Sequence, residues 1–150
     1  MRAILQRIEH ASVVSDGVLT GNSAQGLMIL LGVHKGDSDE DAQVLAKKIA
    51  NLRIFSDDQG KLNKSILDVQ GQALIVSNFT LYANYKKGNR PDYFDSEVPD
   101  KAIPLYELFI SSLKSYGIHV ETGVFGADMK VSMTLDGPVT IVMDSELLLK

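Results

Sequence analysis

Apolar residues follow two rhythms along this chain, and the changes of rhythm mark its elements. Residues 2–15 are rich in strand formers (Ile4, Leu5, Ile8, Val13, Val14). Asp16-Gly17 signals a turn, and residues 18–20 can return as a hairpin arm. Leu27-Met28-Ile29-Leu30-Leu31 is an unbroken apolar run that predicts a central strand, with Gly32 and Gly36 punctuating its exit. The period then lengthens. Ser38 is an N-cap with Asp41 at the capping-box position, and acids crowd the first turn, where the helix dipole favours them. Ala42, Leu45, Ile49 and Leu52 recur at helical spacing while Lys47 and Lys48 face water, so a helix is expected to end near Arg53. Residues 57–60 read as a loop and residues 62–69 as a short irregular connection.

The most informative stretch is QALIVSNFTLYA, residues 72–83. Ala73-Leu74-Ile75-Val76 reads as a buried strand. It ends in Ser77, Asn78 and Thr80, and buried strands rarely finish in unpartnered hydroxyls and amides because such groups are costly. Either these groups satisfy a strand end, or they carry it to a place where hydroxyls and backbone N–H groups face a ligand. Residues 84–100 read as an exposed loop holding Lys86, Lys87, Asn89 and Arg90. A second helix is predicted from about Asp100 to Tyr116, with Ala102, Leu105, Phe109 and Leu113 on one face. Pro104 falls in its first turn and Gly117 is the stop. Strands close the chain: residues 119–124, the strict alternation of Met129, Val131, Met133 and Leu135, a turn at Asp136-Gly137-Pro138, and residues 139–143. The order predicts one α+β domain over residues 1–150, its mostly antiparallel sheet curling into a barrel-like core with two main helices.

Composition narrows the function. At 150 residues, 45% hydrophobic and 23% charged, the chain suits a single globular domain. No run of about 18 apolar residues exists, so no membrane span is expected, and the N-terminus does not read as a signal peptide. The absence of Cys removes disulfides, thiolate catalysis and Cys-based zinc sites, and a cytoplasmic location is expected. A net charge of −4 argues against sequence-blind gripping of nucleic acid but allows a small footprint on an RNA end.

Standard catalytic signatures are absent: no P-loop, dinucleotide fingerprint or nucleophile elbow occurs. His10, His34 and His119 have no metal-ligand spacing, and neither metal nor cofactor is expected. The Lys86–Arg90 loop is either a solvated loop or a phosphate contact. Gly137-Pro138 is either a plain turn or, as a cis pair, a rigid set of two carbonyl oxygens for an ammonium group.

Four motifs in order — NLRIF from Asn51, SNFTLYA from Ser77, GVFGADM from Gly123 and DGPVT from Asp136 — resemble the D-aminoacyl-tRNA deacylase family. MRAILQR at the start and LLGV from Leu30 match too, and the resemblance spans essentially the whole chain. It implies hydrolysis of the ester joining a D-amino acid to the terminal ribose of tRNA, with glycyl-tRNA as a second substrate. It further implies a homodimer with the site shared across the interface. Gly137 and Pro138 of one subunit would hold the substrate's ammonium group in the other, and Arg7 would orient them. Backbone N–H groups of Phe79 and Thr80 would form an oxyanion hole. Ser77, Phe125, Gly126 and Met129 would line the pocket for the terminal adenine. The family usually reads Ser-Gln-x-Thr, so Asn78, one methylene shorter, puts the usual side-chain contact there in doubt.

Two routes to hydrolysis follow: attack by Thr80 Oγ1, which needs an adjacent base, or assistance to a water by the 2′-hydroxyl of the tRNA's own ribose. The residues favour the second, since no His, Lys or carboxylate sits near Thr80 on its strand. The alternative readings are a non-catalytic binding module for aminoacyl-tRNA ends or D-amino acids, and an assembly protein using these strands for dimerisation.

Overall fold

The computed structural model describes all residues, Met1–Lys150. Eight strands and two long helices form it: β1 (Arg2–Ser15), β2 (Val18–Ser23), β3 (Gly26–Gly32), α1 (Asp39–Asn51), β4 (Phe55–Ser56), β5 (Leu62–Lys64), β6 (Gln72–Ser77), α2 (Pro99–Ser115), β7 (His119–Thr122) and β8 (Met129–Asp144). A 3-10 helix, Phe79–Tyr82, follows β6, and a single turn, α3 (Glu146–Leu149), ends the chain.

The main sheet runs β2-β1-β3-β6-β7, with β8 pairing along β1. Ladders to β1 are antiparallel, as the alternation predicts. β3, β6 and β7 run parallel to one another, because the long excursions through α1 and α2 return the chain to the same end of the sheet. The sheet is therefore mixed rather than uniformly antiparallel. It curls until β2 lies over β7: a Cβ on Gly21 would stand 2.7 Å from Thr122 O, so only glycine permits that approach.

Period-two alternation divides the core. Leu27, Ile29, Leu31, Ala73 and Ile75 point to the helix layer and meet Leu45, Ile49, Leu105 and Phe109. Met28, Leu74 and Val76 point into the curl and meet Ile8, Ala11 and Val13. With β3 and β6 covered on both faces, their apolar runs have no polar side to show.

Three local expectations change. Residues 62–64 are strand, paired with β4. Pro104 sits one position further into α2 than predicted, beyond its first turn and on its exposed side. Asp136-Gly137-Pro138 does not reverse the chain. β8 continues through it as one strand, and with Gln6 opposite Thr140 and Ile8 opposite Leu135, residues 136–139 bulge out opposite Arg7 alone. The predicted capping box is present: Asp41 Oδ2 accepts from Ser38 N–H and from Ser38 Oγ, both at 2.9 Å.

Candidate active site

β6 delivers its polar end as the sequence implies. Asn78 N–H donates to Leu31 O at 2.8 Å, which fixes the strand's last step against β3, and the chain then tightens into the 3-10 helix. Arg2 secures that turn, donating from Nη1 to Leu81 O at 3.0 Å with its guanidinium 4.9 Å from the Tyr82 ring centre. Phe79 remains 58% exposed, its ring edge-on to Tyr93 at 5.0 Å.

Beside this turn opens a cavity of about 490 Å³, and Ser77, Asn78, Phe79, Phe125, Gly126 and Met129 all line it. The family resemblance named all six as site residues, four of them as pocket lining, and they come from two segments nearly fifty residues apart. Phe125 is held by packing edge-on against Tyr106 at 5.6 Å. Tyr106 is buried, its hydroxyl donating to Ile75 O at 3.2 Å, and burial pushes that hydroxyl's pKa far up, so it stays a donor. Gly126 adopts φ +77°, which lets the loop between β7 and β8 turn back and bring Met129 to the wall.

Thr80 sits differently from expectation. Its side chain is exposed and does not line the cavity. Its N–H donates to Asn78 Oδ1 at 3.2 Å, and its hydroxyl donates to the same oxygen. The Asn78 carboxamide thus caps the turn as an N-cap side chain does. Only the Phe79 N–H, first in the turn, has no acceptor within the chain.

Arg7 is buried beneath the bulge of β8. Its Nε lies 3.1 Å from both Asp136 O and Asp136 Oδ2, and Nη1 donates to Ile54 O at 3.0 Å. The Gly137–Pro138 bond is cis and Gly137 has φ +124°, where a Cβ would stand 3.1 Å from the Arg7 guanidinium. Gly137 and Pro138 are exposed and do not line the cavity of their own chain. They sit on a strand whose outer edge is unpaired and which exposes Met133, Leu135 and Val142.

Sequence reasoning missed the far wall of the cavity: Tyr93, Glu97, Val98, Pro99 and Ala102. Residues 92–97 are not a free loop. Lys35 N–H donates to Asp95 O, Glu97 N–H to Val33 O, and Asn84 exchanges two backbone bonds with Asp92. Aromatic residues amid the charges of this segment were the available signal. A second, larger hollow of about 590 Å³ lies among Arg2, His34, Asp37, Tyr82 and Asp144 and holds none of the predicted site residues.

A family model described as D-Tyr-tRNA(Tyr) deacylase matches residues 4–144. Proteins named D-aminoacyl-tRNA deacylase are similar along nearly their whole length. That of Fervidobacterium nodosum is 53% identical over 146 residues, covering 97% of this chain and 98% of the relative. That of Thermus aquaticus is 51% identical, covering 97% and 95%. A solved structure described as a c-Myc DNA unwinding element binding protein superposes with TM-score 0.89 at 36% identity over 96% of this chain and 98% of the other. A probable eukaryotic D-amino acid tRNA deacylase gives TM-score 0.82 at 17% identity, covering 95% and 98%, and shares the fold.

Proposed function

Because the chain belongs to the D-Tyr-tRNA(Tyr) deacylase family, we propose that the cavity beside residues 77–79 receives the aminoacylated 3′ end of a tRNA. The protein hydrolyses the ester bond of D-aminoacyl-tRNA, releasing free D-amino acid and tRNA, a chiral proofreading step in translation. The observation that carries the reading is the meeting of the β6 end with Phe125 and Met129 around one cavity of nucleoside size. Aromatic and thioether walls suit the terminal adenine, and stacking there contributes about 1–3 kcal/mol.

In this reading the ester carbonyl first meets the Phe79 N–H. The Thr80 N–H joins it when the Asn78 carboxamide turns aside. Each such donor is worth on the order of 3–4 kcal/mol in acyl-transfer sites. Thr80 Oγ1 is a poor nucleophile here, because its proton points at an amide oxygen that accepts a hydrogen bond but does not take a proton. The 2′-hydroxyl of the substrate ribose therefore assists the attacking water, and the protein supplies position and electrostatics.

A second copy of the chain completes the site. Exposure of Gly137 and Pro138, their absence from the cavity wall of their own chain and the unpaired apolar edge of β8 support this arrangement. The partner's bulge presents carbonyl oxygens to the substrate ammonium, and Arg7 holds that bulge rigid. With amine and carbonyl both fixed, an L side chain is driven into backbone, whereas a D side chain, or the bare hydrogen of glycine, is accepted. Glycyl-tRNA is accordingly a second substrate. The basic loop at Lys86, Lys87 and Arg90 meets tRNA phosphates, and the protein works in the cytoplasm with its charged tRNAs. No helix is long and apolar enough to cross a membrane.

The direct test is deacylation of matched D- and L-tyrosyl-tRNA. Selective release of D-tyrosine is expected. Stoichiometric binding without turnover would leave a binding module instead.

A further inference from the structure

Glu97 carries the only charged side chain on the cavity wall. Its place is fixed from both ends: its N–H donates to Val33 O at 2.9 Å, and its Oε1 accepts from Val98 N–H at 2.9 Å. It forms no ion pair, and Oε2 has no partner in the protein. The residue is half-buried. A carboxylate held by one oxygen keeps the other open to solvent rather than buried, so it is free to accept from a ligand that brings an N–H donor into the cavity. The chain continues from Glu97 into Val98, Pro99 and Ala102, which face the same cavity as Phe125 and Met129. Glu97 and the apolar residues that follow it therefore share one wall of the cavity.

We propose that Glu97 reads the base, Oε2 accepting a hydrogen bond from the exocyclic amino group of the terminal adenine, which makes Glu97 a specificity-determining residue. The inference rests on the tRNA-end reading above and extends it to the Watson–Crick edge of the base. Adenine presents an N–H donor at that position. Purine presents only C–H. Hypoxanthine presents a carbonyl oxygen whose lone pairs oppose the carboxylate. A hydrogen bond to an ionised acceptor separates the first from the other two.

The test uses the full-length protein and three D-tyrosyl-tRNAs that differ only in the last base: adenine, purine or hypoxanthine. With the wild type, kcat/KM is expected to favour adenine over purine by roughly tenfold or more. Glu97→Ala lowers the adenine value by that factor and leaves the purine value in place, so the preference disappears. Glu97→Gln, nearly isosteric and able to donate through its amide, gains on the hypoxanthine-ended substrate relative to the wild type. An adenine-to-purine ratio unchanged in Glu97→Ala overturns the inference while leaving the deacylase reading intact. Equal losses on all three substrates in both variants, at unchanged melting temperature, also overturn it, since a merely structural role would act that way. Failure of the wild type to hydrolyse the adenine-ended substrate overturns the deacylase reading itself, a result separable from the others.

Discussion

Asn78 caps the turn after β6 with its own side chain. At the start of a 3-10 turn the first N–H groups have no intrahelical acceptor, and a short carboxamide folds back onto them. Here it engages Thr80 through both N–H and hydroxyl. Two outcomes follow at this scale. Asn78→Ala removes the cap, and a loss of about 0.5–2 kcal/mol in denaturant unfolding is expected; kcat/KM on D-tyrosyl-tRNA should rise, because the Thr80 N–H no longer has an internal competitor. A fall in kcat/KM would remove the oxyanion role of that amide. Thr80→Ala should keep kcat within a few-fold of the parent, since Thr80 has no base to activate it. Collapse to the uncatalysed rate in a variant of unchanged structure would restore Thr80 as nucleophile. The motif made residues 77–80 legible from sequence. The rotamer of Asn78 was not, because it depends on where the turn places its amides.

At the level of elements, two buried polar clusters tie the layers together. Asp41 joins the start of α1 to the chain end. Burial alone would raise its pKa, but hydrogen bonds from Ser145 Oγ (2.6 Å) and from Ser38 hold the carboxyl below its ordinary value. Such a group stabilises the fold at every pH above its ordinary value of 3.8, and the contribution fades as pH falls through the depressed folded value. Asp41→Asn should therefore unfold more readily than the parent near neutral pH, and the gap in denaturant midpoint should narrow as pH drops below 3.8. A gap that stays constant with pH would mean that the carboxylate charge does not matter there. Arg7 joins β1 to the bulge of β8 and to the exit of α1. Arg7→Met leaves Ile54 O and Asp136 O without their donor, and a loss of about 1–3 kcal/mol is expected from urea unfolding. The same variant should raise KM for the D-substrate. Normal KM with lowered stability would confine Arg7 to the fold. Periodicity foretold α1, α2 and the strands of the main sheet, though not the small β4–β5 pair. It misread the bulge as a turn, since Asp-Gly-Pro is turn chemistry by composition and only the register along β1 shows the strand carrying on.

For the whole molecule, the sixteen-residue β8 is the exposed feature that a single chain does not explain. A long edge strand bearing Met133, Leu135 and Val142 invites pairing with another copy. Leu135→Lys places a charge on that face without touching the cavity. It is expected to yield a monomer in analytical ultracentrifugation, with deacylation reduced to background. A monomer with full activity would sink the shared site, and a dimer that persists would place the interface elsewhere.

Some of this protein was fixed by local chemistry alone. Two helices with a capping box and a glycine stop and the apolar runs of β3 and β6 could be read without coordinates, because patterns of period two and 3.6 are local properties; six of the cavity's wall residues were named beforehand only through the resemblance of short motifs to a family. Three matters were decided only by the assembled chain. Parallel pairing of β3, β6 and β7 depends on where α1 and α2 return the backbone. The wall at Tyr93 and Glu97 depends on backbone bonds from residues 84–97 to one another and to the exit of β3, which no local pattern encodes. The state of the Thr80 N–H depends on a side chain two residues away finding it in space, and hydrogen-bond geometry at that range is set by the turn and not by the letters that spell it.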